Sequence, residues 1–243
     1  MVRPEAGGVT GSITAGPRAP SKLLWAMEVP RGAFGLGQFL WGRRTLGGPK
    51  GDGRPILILP GLVNADRSNF AMRGYLNRLG YRAYGWGLGR NLGARAIGPE
   101  GEKLFERIRE IHDRTGEKVT LIGVSLGGIM ARMAAHRMPD LVREVITVSS
   151  PFAGSPRATN VWRAFEWLTG DRIDDPRVKA LAEEVAAPLP VPATAIWSAS
   201  DGLVNGTICR DQGSRSIEVR SSHLGVQVRP EVLRAIAGVL GGQ

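Results

Sequence analysis

The sequence has the length and composition of a single globular domain. Its 243 residues are 42% hydrophobic and 22% charged, a balance too apolar for a disordered chain. One cysteine, Cys209, excludes an internal disulfide, and residues 1–20 contain no apolar signal segment. The net charge is +10, but no nucleic-acid-binding motif accompanies it, so no nucleic acid is expected as a partner. We expect a cytoplasmic protein.

Residues 1–46 are predicted to form a basic N-terminal extension that is partly flexible. Half of the excess positive charge lies in residues 1–54, where eight Lys or Arg accompany three Asp or Glu. Residues 1–20 are rich in Gly, Pro, Ser and Ala and indicate a flexible leader. Apolar residues broken by Pro30 and by glycines in residues 21–46 indicate two short helices. Two interpretations stay open: a solvated segment whose helices pack on the domain, or a peripheral contact with the anionic inner surface of a membrane.

From residue 54 onward, strands and helices alternate along the chain. Apolar runs predict strands over 55–59, 81–84, 119–122, 142–148, 193–198 and 216–219. Helical patterns predict helices over 69–79, 102–115, 126–138 and 230–240. This alternation is typical of an α/β domain, here 47–243, with a mostly parallel central sheet flanked by helices on both faces. Residues 153–192 interrupt the alternation and are predicted to form a small cap insertion.

Residues 123–127 match the pattern G-x-S-x-G, which is typical of a nucleophile held on a sharp turn. The segment Gly123-Val-Ser-Leu-Gly127 lies between a predicted strand and a predicted helix. Such a turn strains the backbone of Ser125, and the glycines two residues to either side, Gly123 and Gly127, leave room for it. We therefore predict that Ser125 is a nucleophile. An ordinary glycine-rich turn is the alternative.

A serine hydroxyl needs a base to accept its proton, and the chain has three histidines. His112 and His136 lie towards the ends of predicted helices, where a histidine can simply complement the helix dipole. His223 follows the last predicted strand and precedes the final helix, which is the position expected of the base. Asp201 follows the fifth predicted strand and completes the chain order Ser, Asp, His. We predict that His223 is the base and Asp201 its orienting acid, with a simple turn residue as the alternative for Asp201.

Acyl transfer also requires N–H donors for the oxyanion that develops on the carbonyl. One donor is expected at Leu126, directly after the nucleophile. The other is expected at Leu62, in the loop Pro60-Gly-Leu-Val63, where Gly61 lets the backbone turn. A plain Pro-Gly turn is the alternative for that loop.

Four segments of the chain combine into a recognisable pattern. They are Ile56-Leu-Ile-Leu-Pro-Gly-Leu62, Leu121-Ile-Gly-Val-Ser-Leu-Gly-Gly128, Val145-Ile-Thr-Val-Ser-Ser-Pro-Phe152 and Ile196-Trp-Ser-Ala-Ser-Asp-Gly202. Together they resemble the α/β-hydrolase superfamily, and in particular bacterial enzymes of the esterase/lipase type. The resemblance implies that Ser125 attacks an acyl carbonyl, that His223 acts as base and then as acid, and that Asp201 orients the imidazole. The chain departs from many lipases in having Pro60 where a histidine often precedes the oxyanion glycine.

The resemblance implies a serine hydrolase that cleaves carboxylic esters, either with short or medium acyl chains or lipid-like. Trp162, Phe165 and Trp167 of the cap are predicted to line an apolar acyl pocket, with cap core as the alternative. No phosphate loop and no clustered metal ligands occur in the sequence, so neither a cofactor nor a metal is expected. Two other functions stay open: an acyltransferase or thioesterase with the same catalytic residues, and a non-catalytic protein of this fold that binds a membrane or a partner. The oligomeric state is not predicted.

Overall fold

Six parallel β-strands form one sheet in the described part of the chain. The computed structural model describes residues 17–42, 45–211 and 213–243, so most of the predicted flexible leader lies outside the described residues. The strands are β1 (Pro55–Leu59), β2 (Arg82–Gly85), β3 (Val119–Val124), β4 (Val142–Val148), β5 (Ala193–Trp197) and β6 (Arg215–Glu218). Their order across the sheet is β2-β1-β3-β4-β5-β6, and every neighbouring pair is parallel. The predicted parallel sheet is therefore confirmed.

Helices precede the sheet, connect its strands and follow it. They are α1 (Lys22–Ala26), α2 (Glu28–Gly42), α3 (Phe70–Leu79), α4 (Ala94–Ile97), α5 (Glu102–Thr115), α6 (Leu126–Arg137), α7 (Trp162–Thr169), α8 (Pro176–Ala186) and α9 (Pro230–Leu240). The bounds of α5 and α9 agree with the prediction, and those of α3 and α6 differ by one residue at one end. Helices α7 and α8 lie in the segment predicted as the cap.

The central strands of the sheet are buried on both faces, as their continuous apolar sequences predicted. Ile56 and Ile58 of β1 point to one face and pack in a core with α3 and α9, whereas Leu57 and Leu59 point to the other face and pack in a core with α5 and α6. All four side chains are inaccessible to solvent or nearly so. Two-sided burial explains why β1 is apolar throughout and does not alternate with polar residues.

Strand β3 continues two residues beyond its predicted end at residue 122. Gly123 and Val124 pair with Thr147 and Val148 of β4, so the ladder runs up to the residue before Ser125. The glycine in the motif obscured this extension, because glycine is depleted in strands. The nucleophile candidate therefore follows the sheet directly, with no intervening loop.

Helix α2 runs without interruption through Pro30 and several glycines, which were predicted to break this segment. Pro30 lies in the first turn, where a proline costs the helix no internal hydrogen bond. Gly32 and Gly35 face the domain, and a Cβ at either position would collide with Leu224 or Arg229. The glycines thus permit close packing of α2 on the domain. Within the described ranges, no helix is both long and apolar enough to cross a bilayer.

A buried arginine on α6 connects the cap to the sheet domain. Arg132 is almost completely buried and donates hydrogen bonds to the carbonyl oxygens of Val185 and Ala187, at the end of α8. Its guanidinium lies 3.9 Å from the centre of the Phe152 ring and 3.3 Å from a carboxylate oxygen of Asp211. A buried cation needs such partners, and here they belong to both ends of the cap and to the loop before β6. Arg132 therefore fixes the cap over the carboxyl edge of the sheet.

Candidate active site

Ser125 lies on a strained turn between β3 and α6. Its backbone φ is 51° and ψ is −120°, a conformation that L-residues rarely adopt. A Cβ at Gly123 would collide with the backbone of Gly128, and a Cβ at Gly127 would collide with the carbonyl of Leu59. Only glycine fits these two positions, as the sequence motif predicted. The turn leaves the Ser125 side chain at the carboxyl edge of the sheet.

Ser150 supports the same turn, and the sequence analysis did not identify it. Its hydroxyl donates a 2.8 Å hydrogen bond to the Ser125 carbonyl, and the Ser125 N–H donates to the Val148 carbonyl at 2.9 Å. Ser150 is fully buried, and a Cβ at Gly128 would collide with its hydroxyl. Strain at a functional turn persists only where the surroundings hold it. Ser150 supplies part of that support from the end of β4.

The structure brings together Ser125 from the turn after β3, Asp201 from the loop after β5 and His223 from the loop after β6. His223 Nε2 lies 3.1 Å from the Ser125 hydroxyl oxygen, and His223 Nδ1 lies 2.7 Å from Asp201 Oδ2. The second oxygen of Asp201, Oδ1, accepts hydrogen bonds of 2.9 Å from the N–H groups of Leu203 and Val204. Asp201 is 2% exposed. Both carboxylate oxygens are thus fixed, and one of them faces the imidazole.

The other two histidines have no part in this arrangement. His112 Nδ1 is hydrogen bonded to the carbonyl of Glu117 at the end of α5. His136 lies in the last turn of α6, about 16 Å along the helix from Ser125 at 1.5 Å per residue. Of the three histidines, His223 alone has a ring nitrogen within hydrogen-bonding distance of Ser125.

The charge of the Asp201 carboxylate governs the electrostatics of His223. Burial by itself lowers the pKa of His223, because it removes water from the imidazolium. The charge of Asp201, its hydrogen bond to Nδ1 and the more distant charge of Glu28 outweigh burial and raise the pKa of His223 above its ordinary value. The imidazole is therefore a better proton acceptor than a free histidine.

The loop after β1 lies next to Ser125 and to the start of α6. A Cβ at Gly61 would lie 3.4 Å from the Ser125 Cβ, and Leu62 lines the same cavity as Ser125. Among the described residues, no hydrogen bond uses the N–H of Leu62 or of Leu126. Unpaired N–H groups beside a nucleophile are suited to stabilise an oxyanion.

Asn91 holds the Leu62 loop in shape, and sequence reasoning missed it. Its side-chain amide donates a 2.7 Å hydrogen bond to the Pro60 carbonyl, and its backbone carbonyl accepts a 2.8 Å hydrogen bond from the Val63 N–H. Val63 has a φ of 57°, which is uncommon for a β-branched residue. Asn91 lies in the glycine-rich loop that follows β2, and this general location after a strand was the one signal for it, because no residue pattern assigns it a role.

An apolar cavity of about 140 Å³ opens beside Ser125 under the cap. Trp162 and Phe165 line it together with Leu62 and Leu126. Trp167, which was predicted to line the pocket, is 82% exposed and lies outside it. The helical spacing explains this correction: Trp162 and Phe165 share one face of α7, whereas Trp167 is rotated by about 200° from Phe165 at 3.6 residues per turn.

A second cavity of about 360 Å³ adjoins the first. Five side chains line both cavities, namely Leu126, Ile129, Phe165, Val178 and Leu181. The second cavity also has charged residues at its rim, including Arg137 and Glu184, which form an ion pair. In the part of the chain that the structure describes, no group of three His, Cys, Asp or Glu residues is arranged to hold a metal ion.

Comparison with known proteins agrees with this architecture. A protein-family profile described as alpha/beta hydrolase fold matches residues 102–204, which span α5 to the loop after β5. Comparison of the sequence with curated proteins finds no match.

The structure is similar to solved structures of lipases. The mature form of a Bacillus licheniformis lipase has a TM-score of 0.59 at 18% identity, covering 79% of this chain and 94% of that chain. A Paleococcus ferrophilus monoacylglycerol lipase has a TM-score of 0.56 at 18% identity, covering 80% of this chain and 96% of that chain. Aspergillus fumigatus lipase B has a TM-score of 0.58 at 17% identity, covering 78% of this chain and 53% of that chain. The chain therefore has the α/β-hydrolase fold, and the resemblance inferred from the four sequence motifs is confirmed for the fold.

The raised pKa of His223 leads to a prediction for the pH dependence of any reaction in which His223 accepts the Ser125 proton. Only the neutral imidazole can accept the Ser125 proton, so kcat/KM is expected to fall as pH decreases through the pKa of His223. Because the Asp201 interaction raises this pKa, the midpoint should lie above the ordinary value of about 6.5. The measurement is kcat/KM for p-nitrophenyl butyrate across the pH range in which circular dichroism shows the protein folded. A midpoint below 6.5 would contradict the prediction.

Proposed function

We propose that this protein is a serine hydrolase that cleaves carboxylic esters through an acyl-enzyme intermediate. The observation that carries the proposal is a series of two hydrogen bonds. The first joins the Ser125 hydroxyl oxygen and His223 Nε2 at 3.1 Å, and the second joins His223 Nδ1 and Asp201 Oδ2 at 2.7 Å. The strained backbone at Ser125 and the α/β-hydrolase fold add support. A hydroxyl beside a base that is itself oriented by an acid is the arrangement required for nucleophilic catalysis.

In this mechanism, His223 Nε2 takes the Ser125 proton while the hydroxyl oxygen attacks the ester carbonyl. Asp201 holds the Nδ1 proton, fixes the tautomer and stabilises the imidazolium that forms. His223 then donates its proton to the departing alkoxide, which leaves Ser125 acylated. A water molecule, deprotonated by the same imidazole, then attacks the acyl-enzyme. As the bond to the Ser125 oxygen breaks, His223 returns the proton to that oxygen, which releases the acid and restores the free enzyme.

The N–H groups of Leu62 and Leu126 are proposed to bind the oxyanion in both steps. Their proximity to Ser125 and their lack of other partners in the described residues support this role. The loss of one such donor typically raises the activation free energy by about 3 kcal/mol. Asn91 and the glycines Gly61 and Gly127 are proposed to keep the two donors in position.

The cavity beside Ser125 favours a short or medium acyl chain. Its volume of about 140 Å³ is well below the range of about 300–1,000 Å³ that holds drug-sized ligands. Its walls are predominantly apolar, with Trp162, Phe165 and Ile173 among them. An apolar acyl group can therefore bury its surface there, while the alcohol part of the ester faces the open side.

The first test compares wild type with Ser125→Ala. Wild type is expected to hydrolyse p-nitrophenyl butyrate and to be labelled by a fluorophosphonate, because His223 activates the Ser125 hydroxyl. The variant should lose labelling and at least about 10³-fold in kcat, since the loss of the nucleophile leaves only binding and oxyanion stabilisation. Intact mass spectrometry and absorbance measure the two outcomes.

The control in this test is the fold of each protein, followed by thermal unfolding. Well-folded wild type without labelling or turnover would contradict the hydrolase proposal and favour a non-catalytic binding protein. Turnover equal to that of Ser125→Ala would contradict it as well. Ester products in the presence of added alcohols would instead assign the same residues to acyl transfer.

Phe165 is proposed to limit the length of the acyl chain. Its side chain lines both cavities, so Phe165→Ala is expected to join them into a longer apolar channel. The ratio of kcat/KM for the decanoate ester to that for the butyrate ester should rise on the order of 10-fold, since additional methylenes become buried. Trp167→Ala is the matched control, because Trp167 lies on the same helix but is exposed. An unchanged ratio in Phe165→Ala would contradict this assignment.

We further propose that the outer side of the N-terminal helices contacts an anionic lipid surface. Six apolar side chains on that side are more than half exposed: Leu23, Trp25, Val29, Phe34, Leu40 and Trp41. An exposed apolar patch of this kind is typical of an interaction site. Large apolar side chains on an interfacial helix enter the boundary of a bilayer, and the excess positive charge of residues 1–54 favours anionic headgroups.

Co-sedimentation with vesicles tests this contact. The full chain is expected to bind vesicles that contain phosphatidylglycerol more tightly than vesicles of phosphatidylcholine alone, and high salt should weaken the binding. The double variant Phe34→Ser with Trp41→Ser should lose binding on the order of 10-fold, whereas Trp167→Ser, which removes an exposed tryptophan elsewhere, should not. Absence of binding, or a dimer in solution that buries the same side chains, would contradict a lipid partner.

A further inference from the structure

A buried carboxylate of the N-terminal extension contacts the loops of the candidate active site. Glu28 begins α2 and is 1% exposed. Burial of a carboxylate is unfavourable unless hydrogen bonds replace its lost hydration. The partners of Glu28 therefore indicate why an acidic side chain occupies this buried position.

Glu28 joins two loops that are distant in the sequence. Its Oε1 accepts a 2.7 Å hydrogen bond from the Gly202 N–H, and its Oε2 accepts a 2.7 Å hydrogen bond from the Leu224 N–H. Gly202 directly follows Asp201, and Leu224 directly follows His223. One carboxylate therefore holds the backbone of the acid loop and the backbone of the base loop at the same time.

The two loops fit closely against the N-terminal helices. A Cβ at Gly202 would collide with the Leu24 carbonyl and would lie 2.9 Å from Glu28 Oε1. A Cβ at Gly32 would lie 2.8 Å from the Leu224 carbonyl oxygen. Glycine on one side of each contact thus allows the backbones to approach closely enough for the Glu28 hydrogen bonds to form.

Arg31, three residues after Glu28, holds the acid loop at a second point. It donates hydrogen bonds to the Ser200 carbonyl at 2.6 Å and to the Ser200 hydroxyl at 2.9 Å. Asp201 is therefore flanked by residues that α2 fixes on both sides, Ser200 and Gly202. The helix constrains the position of the acid more tightly than an isolated hydrogen bond would.

We propose that Glu28 is a positioning residue of the active site, whose carboxylate sets the separation between the loop of Asp201 and the loop of His223. This inference rests on the proposed hydrolase function, since it concerns how that site is held. Glu28 acts through the two backbone N–H groups and not on the substrate.

Small displacements of these loops matter because His223 must face Ser125 and Asp201 simultaneously. A misplacement of about 1 Å can reduce a catalytic rate on the order of 100-fold. Glu28 also acts on His223 through its charge. Burial lowers the pKa of His223, whereas Asp201 at the end of β5 and Glu28 on α2 raise it. The positioning role therefore has an electrostatic signature that a purely structural role would lack.

The test is the substitution Glu28→Gln, which preserves the shape of the side chain but leaves one acceptor oxygen instead of two. With p-nitrophenyl butyrate, kcat is expected to fall about 10- to 100-fold. KM should change little, because the acyl cavity is untouched. The midpoint of the acid limb of kcat/KM should move to lower pH, because the negative charge that favours protonated His223 is lost.

Glu144→Gln is the matched control. It replaces a largely buried carboxylate that pairs with Arg54 at 2.9 Å, on β4 near the opposite edge of the sheet. This variant should lower the thermal unfolding temperature without changing the pH profile or kcat.

An NMR titration of His223 in the Ser125→Ala protein, with and without Glu28→Gln, measures the pKa of His223 without requiring turnover.

The outcomes separate this inference from the proposed function. Wild-type kcat together with a wild-type acid limb in Glu28→Gln would overturn the positioning role. A loss of kcat no greater than that of Glu144→Gln, with no shift of the acid limb, would overturn it too. Wild type that neither hydrolyses esters nor reacts with a fluorophosphonate would contradict the proposed function. In that case a lowered pKa of His223 in the NMR titration would still support the contact between Glu28 and the base loop, and an unchanged pKa would overturn it.

Discussion

The strained turn at Ser125 is the constraint on which the arrangement of the site depends. A positive φ at a non-glycine residue raises the free energy of the folded state and persists only where neighbours enforce it. Here the enforcement comes from the β3–β4 ladder, from the Ser150 hydroxyl and from glycines that let α6 approach β1. Since all six strands are parallel, their carboxyl ends share one edge, and ligand sites of α/β sheets lie at that edge. The turn at Ser125 therefore lies close to the loops after β1, β5 and β6, because all four segments follow the carboxyl ends of strands at the same edge.

The residues that could be predicted from sequence are those whose local pattern specifies their role. Strand β1 is buried on both faces, and its sequence is therefore apolar without interruption. Ser125 could be predicted because Gly123 and Gly127 lie two residues to either side of it. His223 and Asp201 follow strand ends in the expected chain order. Glu28 and Asn91 could not be predicted in the same way, because each acts on backbone groups of loops far away in the sequence. The spacing of residue types along the chain does not indicate hydrogen bonds between a side chain and the backbone of a distant loop. The prediction for Trp167 was wrong because Trp167 lies on the opposite side of α7 from Phe165, so that it is exposed and does not line the cavity.

Helix α2 shows why an apolar segment does not reveal which of its faces packs inward. Its buried positions are Glu28, Gly35 and Phe39, while other large apolar side chains such as Phe34 and Trp41 are exposed. This reverses the usual amphipathic arrangement, in which the apolar stripe faces the core. The inward face is small because the loops of the candidate site lie directly beneath it, and its one carboxylate is satisfied by their N–H groups. The outward face is then free to differ, and its exposed apolar side chains are the observation that supports the proposed lipid contact.

The parts of the chain that hold the reacting groups differ from the parts that enclose the substrate. The acid and base loops are held by α2, whereas the acyl cavity is walled by α6, α7 and α8, with Arg132 fixing the end of α8. The two sets of contacts meet at Ser125 and Leu126, and again at the acid loop, where Val204 lines the cavity and Asn160 of the cap donates a hydrogen bond to the Gly202 carbonyl. Changes in α7 and α8 can therefore alter which acyl chain fits the proposed pocket while the Glu28 contacts of both loops stay in place. Changes in the N-terminal helices can alter the geometry of proton transfer without altering the cavity. A fold that assigns these two requirements largely to different elements allows the substrate preference to vary while the catalytic geometry is kept, and one such fold can host many different chemistries.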